Sequence, residues 1–217
     1  QLGYSVEWRV INAADYGRAQ RRRRVFFFVF RNDTKWGERL HTKYEATLSN
    51  NADLNARLDC YAPYIFEDGL FGRQFPVKNE AVKKRINANK LDEDIAEVSA
   101  NFSDGKMWNS GLMTNGYYYT IETEPKGDEE PIPMKKIVVK ENQVPEDYYV
   151  DGEKLEKFKY LRGPKKITRT AANGHTYTFS EGGMSEYDSL ELPGRTMLTS
   201  EGSVNRSTHL LKIDGKY

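Results

Sequence analysis

The sequence predicts an α+β chain, rich in strands and irregular segments and carrying one or two helices. Three observations point there. YSVEWRVI at residues 4–11 and RVFFFVF at 24–30 hold alternating or continuous apolar runs of strand type, joined by the turn signal NAADYG. NEAVKKRINANKLDEDIAEVSA, from Asn79 on, spaces Val82, Ile86, Leu91, Ile95 and Val98 at roughly helical intervals. Short extended segments with glycine-marked turns, GHTYTFSEGGM and GRTMLTSEG, fill the last third of the chain.

Taken in order, the first strand alternates from its opening residues, whereas the second is almost continuously apolar. Such a strand is expected at the centre of a sheet, covered on both faces. Asn79 is the expected cap of the helix that follows, because its short side chain can accept from the first free N–H groups. GYYYTIE and KKIVVK read as two further strands, separated by the proline- and acid-rich KGDEEPIP loop. Tyr117, Tyr118 and Tyr119 in the first of these look like a stacking platform, but alternation along a strand divides them between core and surface. HLLKIDGKY closes the sequence as strand-like residues with a turn, and no fixed-period repeat occurs. Both ends read as strand rather than polar terminus, so a piece of a longer protein is expected.

Composition narrows the function classes. A hydrophobic fraction of 38% in 217 residues suffices for a core. No apolar run approaches the roughly 20 residues that span a bilayer, and no signal peptide pattern opens the chain. A single cysteine, Cys60, excludes an internal disulfide framework and a thiolate zinc cluster, and three scattered histidines have no metal-ligand spacing. The expectation is a soluble, intracellular, metal-free protein with no membrane partner.

Net charge is only +1, yet charge is laid out in patches. Residues 1–31 hold seven basic and two acidic residues, a balance of +5. Residues 122–157 carry eleven acids against six lysines, and 158–170 carry five basic residues and no acid. Basic patches attract polyanions even on a nearly neutral chain. The acidic KGDEEPIP loop is accordingly expected to face away from phosphate.

The densest patch is the run Arg21 to Arg24, placed directly before VFFFVF. An extended backbone sends Gln20, Arg22 and Arg24 to one side and Arg21 and Arg23 to the other. Arginine presents a planar fork of donors suited to phosphate or to the carbonyl edge of a base. A localisation-type basic run and a solvated strand end are the plain alternatives, and composition does not separate them.

NAADYGRAQRRRRVFFFVFRND resembles a block of the C5-cytosine DNA methyltransferases that reads Asn-Ala-x-Asp-Tyr-Gly-x-Pro-Gln-x-Arg-x-Arg before an apolar strand. Asn12, Ala13, Asp15, Tyr16, Gly17, Gln20, Arg22 and Arg24 fall on it, and Ala19 departs from it where the family has proline. Further on, Tyr177, Phe179, Ser180, Glu181 and Gly182, then Pro193, Arg195, Thr196 and Met197, are similar to the family's late target-recognition region. Residues 34–155 carry no block of this kind. The family's Phe-x-Gly-x-Gly cofactor strand, Pro-Cys-Gln nucleophile loop and Glu-Asn-Val block are not in the sequence. Cys60 lacks the flanking proline and glutamine, so it reads as a packed or surface thiol.

The resemblance implies the last strands of an α/β methyltransferase catalytic domain at residues 1–31, a target recognition domain at 32–195, and a recognition loop returning toward the catalytic domain at 196–217. It implies methyl transfer from S-adenosylmethionine to a cytosine flipped out of duplex DNA. In that scheme Arg24 holds the base carbonyl, Arg22 binds phosphate or braces the active-site loop, and Gln20 orients the turn. Lys165, Lys166, Arg169, Asn173, His175 and Tyr177 form a basic, polar stretch suited to groove and phosphate contact; a solvated hairpin is the alternative. Arg195 and Thr196 are expected at the DNA backbone, and Asn205 and Arg206 on a second DNA-facing loop. The chain itself is expected to bind no cofactor and to be inactive alone, its partners being duplex DNA and the catalytic domain of the same protein. The expected setting is the cytoplasm of a bacterium, or a phage, with a restriction-modification role. A non-catalytic DNA-binding module of the same descent and an RNA-binding or nuclear protein are the competing readings.

Overall fold

The computed structural model describes residues 2–49, 51–79, 85–91, 94–101 and 107–217. They form two compact units, one of residues 1–16 and 23–130, the other of 17–22 and 131–217. Elements of both types confirm the mixed α+β class.

The first unit is built on a five-stranded antiparallel sheet in the order β2-β1-β4-β5-β3. Its strands are β1 (Tyr4–Asn12), β2 (Arg23–Arg31), β3 (Ile86–Lys90), β4 (Ser110–Thr114) and β5 (Tyr117–Ile121). β1 and β2 pair along their whole length, from Tyr4 opposite Arg31 to Asn12 opposite Arg23. Helices α1 (Lys35–Tyr44), α2 (Leu54–Pro63), α3 (Leu70–Gln74) and α4 (Ile95–Asn101) complete the unit. Thr34 and Asp53 cap α1 and α2 by accepting from the N–H groups of Gly37 and Ala56. Leu40, Tyr44, Leu58, Tyr61, Tyr64 and Ile65 then pack with Phe30, Leu112, Tyr119 and Ile121 into the core.

Two charged residues of β1 lie inside this core. Arg9, counted above in the basic patch, is buried and donates to the carbonyls of Ile65, Phe71 and Phe75. Glu7 accepts from the N–H groups of Leu70 and Phe71, each at 2.9 Å, and so caps α3 from β1. Burial pushes the Glu7 carboxyl up, against the pull of those two N–H bonds and of Arg9.

β2 does not occupy the expected position. It is an edge strand paired only with β1 among the described residues, and its face bearing Val25, Phe27 and Val29 is open. Phe27 is 64% and Val29 54% exposed, and Tyr4 and Val10 of β1 continue the same open face. Only Phe28 and Phe30, on the other face, find cover against Trp36 of α1. The continuous apolar run therefore records a face that these residues leave bare, not a strand sandwiched within them.

Three other expectations also change. Ile86–Lys90, placed above in a long helix, is strand β3, because β5 offers it a paired edge with Ile86 opposite Ile121. The cap Asn79 precedes residues 80–84, which with Val82 lie outside the described residues; α4 keeps the end of the predicted helix. KKIVVK is no strand: Met134–Lys136 form one 3-10 turn after Pro133, and Ile137 and Val139 stay exposed without a pairing partner. More helices form than the one or two expected. Tyr118 and Tyr119 are both buried and Tyr117 is half-buried beneath the Arg57 guanidinium, so the three make no stacking platform.

In the second unit, α5 (Gly152–Arg162) leads into a two-stranded antiparallel ribbon of β6 (Lys165–Thr170) and β7 (Thr176–Glu181). The rest of this unit is irregular, held by loops that hydrogen-bond to one another. GRTMLTSEG, expected to be extended, contributes a single bridge at Gly194. HLLKIDGKY ends in the expected turn, closed by a bridge between Ile213 and Lys216.

Candidate nucleic-acid interface

In the first unit the NAADYG block has a direct structural reading. β1 ends at Asn12, whose side-chain N–H donates to Asp15 Oδ1 at 2.9 Å across one 3-10 turn, Ala13–Tyr16. Tyr16 packs edge-on against Phe75 with ring centroids 5.1 Å apart. Gly17, which opens the second unit's segment, has φ of +70°, a conformation that costs glycine little and other residues more.

Within the second unit, residues 19–22 run beside residues 194–197. Gln20 and Gly194 form a parallel bridge, made by Arg21 N–H donating to Gly194 O at 2.7 Å and Gly194 N–H donating to Ala19 O at 2.8 Å. Thr196 Oγ1 donates to Arg21 O at 2.9 Å, and Arg22 Nη1 donates to Met197 O at 3.3 Å. Ala19 enters this bridge through its carbonyl, so proline's missing N–H would not be felt there. Gly194 has little room: a Cβ would come 3.0 Å from Met134 Sδ and 3.3 Å from His209 Nε2. Two stretches 174 residues apart in sequence, counted from Gln20 to Gly194 and each carrying part of the family resemblance, are thus one hydrogen-bonded structure. Arg24 lies in β2 of the other unit, exposed, with Nη1 donating to Arg23 O at 2.7 Å.

Arg195 points away from that bridge. Its Nε donates to Asp188 Oδ1 at 2.5 Å, and its Nη2 to Asp188 Oδ2 and Thr208 O, each at 3.2 Å. Arg162 approaches the same carboxylate from α5, Nη2 to Oδ2 at 2.8 Å, and also donates to the carbonyls of Ser185, Glu186 and Thr208. Leu210 N–H donates to Oδ2 at 3.0 Å. Burial pushes the Asp188 carboxyl up, but the hydrogen bonds from Arg195, Arg162 and Leu210 outweigh it and hold it well below the usual carboxylate range.

Asn205 and Arg206 are likewise engaged inside the unit. Asn205 Oδ1 accepts from the N–H groups of Ser207 and Thr208, and its Nδ2 donates to Ser200 O, so its amide shapes the loop. Arg206 donates to Leu161 O at 3.1 Å and Gly182 O and pairs with Glu181, bracing the base of the ribbon. Lys165 does the same from the opposite strand, donating to Leu161 O at 2.7 Å and to Glu181 at 3.1 Å.

Beyond its base the ribbon stands free. Pairing sets Ile167, Arg169, Tyr177 and Phe179 on one face and Lys166, Thr168, Thr170, Thr176, Thr178 and Ser180 on the other. Lys166, Arg169, His175 and Tyr177 are exposed, with the Arg169 guanidinium 4.0 Å from the centroid of Phe179. The tip turns at Asn173, whose Oδ1 accepts from His175 N–H at 3.1 Å, and Gly174, with φ of +82°. A narrow, basic ribbon offers donors on both faces to a polyanion.

Sequence reasoning missed Asp188 and Arg162. Each is a lone charge in an unremarkable segment, and only the fold brings them to Arg195. Cys60 donates to Tyr44 O at 2.9 Å and packs as a half-buried thiol, as expected. No cluster of His, Cys, Asp or Glu able to hold a metal occurs among the described residues, and none of their helices is long and apolar enough to cross a membrane.

No solved structure matches this chain. A type II methyltransferase, M.Sau3AI of Staphylococcus aureus, is 48% identical over all 217 residues. The match takes in the whole chain but 48% of that relative, so the chain spans about half its length. The C-5 cytosine-specific DNA methylase family matches residues 1–201. With its paired blocks joined at Gly194, the chain belongs to the C-5 cytosine-specific DNA methylase family.

Proposed function

We propose that this chain is the DNA-reading part of a DNA cytosine-5 methyltransferase of a bacterial or phage restriction-modification system, inactive when separated from the rest of its catalytic domain. The observation that carries the reading is the bridge between Gln20–Arg22 and Gly194–Thr196, which unites the family's arginine block with its recognition block. The open apolar face of Val25, Phe27 and Val29 supports the second part, since a contiguous bare apolar face calls for a partner surface. The proposed partner is the remainder of the same catalytic domain.

In this reading a cytosine leaves the duplex stack, because its ring atoms cannot be attacked within it. Arg24 donates to the carbonyl of the flipped base, Arg22 binds phosphate or braces the active-site loop, and Gln20 orients the turn. Thr196, already hydrogen-bonded to the Arg21 carbonyl, lies on the segment that meets the DNA backbone. Lys166, Arg169, His175 and Tyr177 meet the groove, while Lys165, Arg195, Asn205 and Arg206 act one step back by holding the loops that do. S-adenosylmethionine would supply the methyl group. The sequence has no Phe-x-Gly-x-Gly segment, so these residues offer no cofactor site of the family's kind and no step through the cofactor is assigned to them.

The test is methyl transfer from tritiated S-adenosylmethionine into duplex DNA, run with the full-length protein and with residues 1–217 alone. Label at cytosine C5 with the full-length protein and none with residues 1–217 is the expected result. Label with the isolated chain would overturn its assignment as an inactive part. Duplex binding with no label from the full-length protein would establish the non-catalytic DNA-binding module instead.

A further inference from the structure

We infer that Asp188 is a positioning residue for the arginine block: held by Arg162, it fixes Arg195 and thereby the register of Gly194–Thr196 against Gln20–Arg22. The inference rests on the proposed methyltransferase function and deepens it.

Asp188 has a side chain 8% exposed and Arg162 one 1% exposed. Burying such a pair is costly, and apolar residues of similar volume often serve stability as well or better, so packing alone is a poor reason for the arrangement. Its geometry supplies a better one. The single carboxylate collects donors from the end of α5 (Arg162), from the segment next to the arginine block (Arg195), and from the returning chain (Leu210 N–H). Both arginines also donate to Thr208 O, so the same three segments are tied twice.

Along 194–196 the roles alternate. Gly194 gives both its N–H and its C=O to the arginine block, and Thr196 gives its hydroxyl, while Arg195 between them is spent on Asp188. A two-pronged Arg195–Asp188 pair fixes direction as well as distance, which a single point contact does not. A shift of this anchor would move Gly194 and Thr196 together, and with them the backbone that carries Gln20 and Arg22. Asp188 touches neither DNA nor base in this account; it acts through Arg195.

The experiment is a double-mutant cycle in the full-length protein with Asp188→Asn, Thr196→Val and the pair, read as kcat and duplex KM per folded molecule. Methyl transfer by the unmodified protein is measured first, and its absence would refute the function proposal rather than this one. Given that activity, Asp188→Asn is expected to lower kcat roughly 10-fold or more, the scale of one charged hydrogen bond, with duplex KM changed by less. The double variant should be no slower than the slower single variant, because both substitutions loosen one segment. Multiplying effects, or a kcat per folded molecule that Asp188→Asn leaves unchanged, would reduce Asp188 to a structural residue and overturn the inference. If Asp188→Asn does not fold, Arg195→Lys, which keeps the charge but loses the second prong, takes its place in the same cycle with the same two outcomes.

Discussion

At the scale of single residues, buried charges in β1 and in the second unit follow opposite electrostatic rules. Glu7 is raised by burial, so its ionisation opposes folding: its contribution is largest below its unfolded pKa and declines as pH rises through the folded one. Asp188 is depressed by its arginines, so its contribution is full above the unfolded value of about 3.9 and is lost as pH falls through the folded one. The gap in melting temperature between unmodified protein and Asp188→Asn should therefore narrow as the medium is acidified below about pH 4, the unfolded aspartate range. A gap that widens on acidification would contradict the assigned pairing. Gly69 offers a second test in β1's surroundings. A Cβ there would come 2.6 Å from Glu7 Oε1, so Gly69→Ala must push aside the carboxylate that caps α3. Chemical denaturation should find it destabilised by about 1–3 kcal/mol, the usual cost of overpacking.

Among the secondary-structure elements, the ribbon of β6 and β7 is the one proposed to meet DNA. Its base is tied down by Lys165, Arg206 and Glu181, while Lys166 and Arg169 are exposed beyond it, Arg169 over the Phe179 ring. Replacing both by alanine should weaken duplex binding and reduce the salt slope by about one per lost phosphate contact. Replacing Lys165 should act through a lower melting temperature instead, and an unchanged salt slope for Lys166→Ala with Arg169→Ala would remove the ribbon from the interface. β1, β2, β5 and β7 were legible because apolar runs, alternation and glycine-marked turns are local signals, whereas β6 was read as a strand only in the alternative of a solvated hairpin. α1 and α5 were not, since few of their residues are apolar, nor was α2, whose Leu54, Ala56, Leu58 and Cys60 alternate with a strand-like period; the signals that mark α1 and α2 are the caps Thr34 and Asp53. Ile86–Lys90 and KKIVVK were misread for one reason: whether a short segment becomes a strand depends on a partner edge, which β5 gives the first and nothing described gives the second.

Across the whole chain, the sequence displayed the arginine block and the recognition block, but not that a glycine joins them or that buried charges stand behind the joint. Those are long-range facts, made by a carboxylate at 188 and a guanidinium at 162 that no spacing rule connects. The apolar run of β2 was equally visible, and its meaning changed with the fold: five residues of β1 and β2 make an open face rather than a sealed interior. That face and the basic ribbon give each unit a surface whose chemistry suits a different neighbour, one apolar and one anionic.

In the proposed methyltransferase Arg22 and Arg24 serve the flipped cytosine, and Arg21 and Arg23, on the other side of the run, do not. This difference is tested most directly by tritium transfer into duplex DNA from full-length variants Arg21→Ala, Arg22→Ala, Arg23→Ala and Arg24→Ala. Losses on the order of 100-fold for Arg22 and Arg24, the usual cost of removing a positioned donor, with Arg21 and Arg23 near unmodified activity, are predicted. Equal, salt-dependent losses at all four positions would contradict the account and leave the run an electrostatic patch.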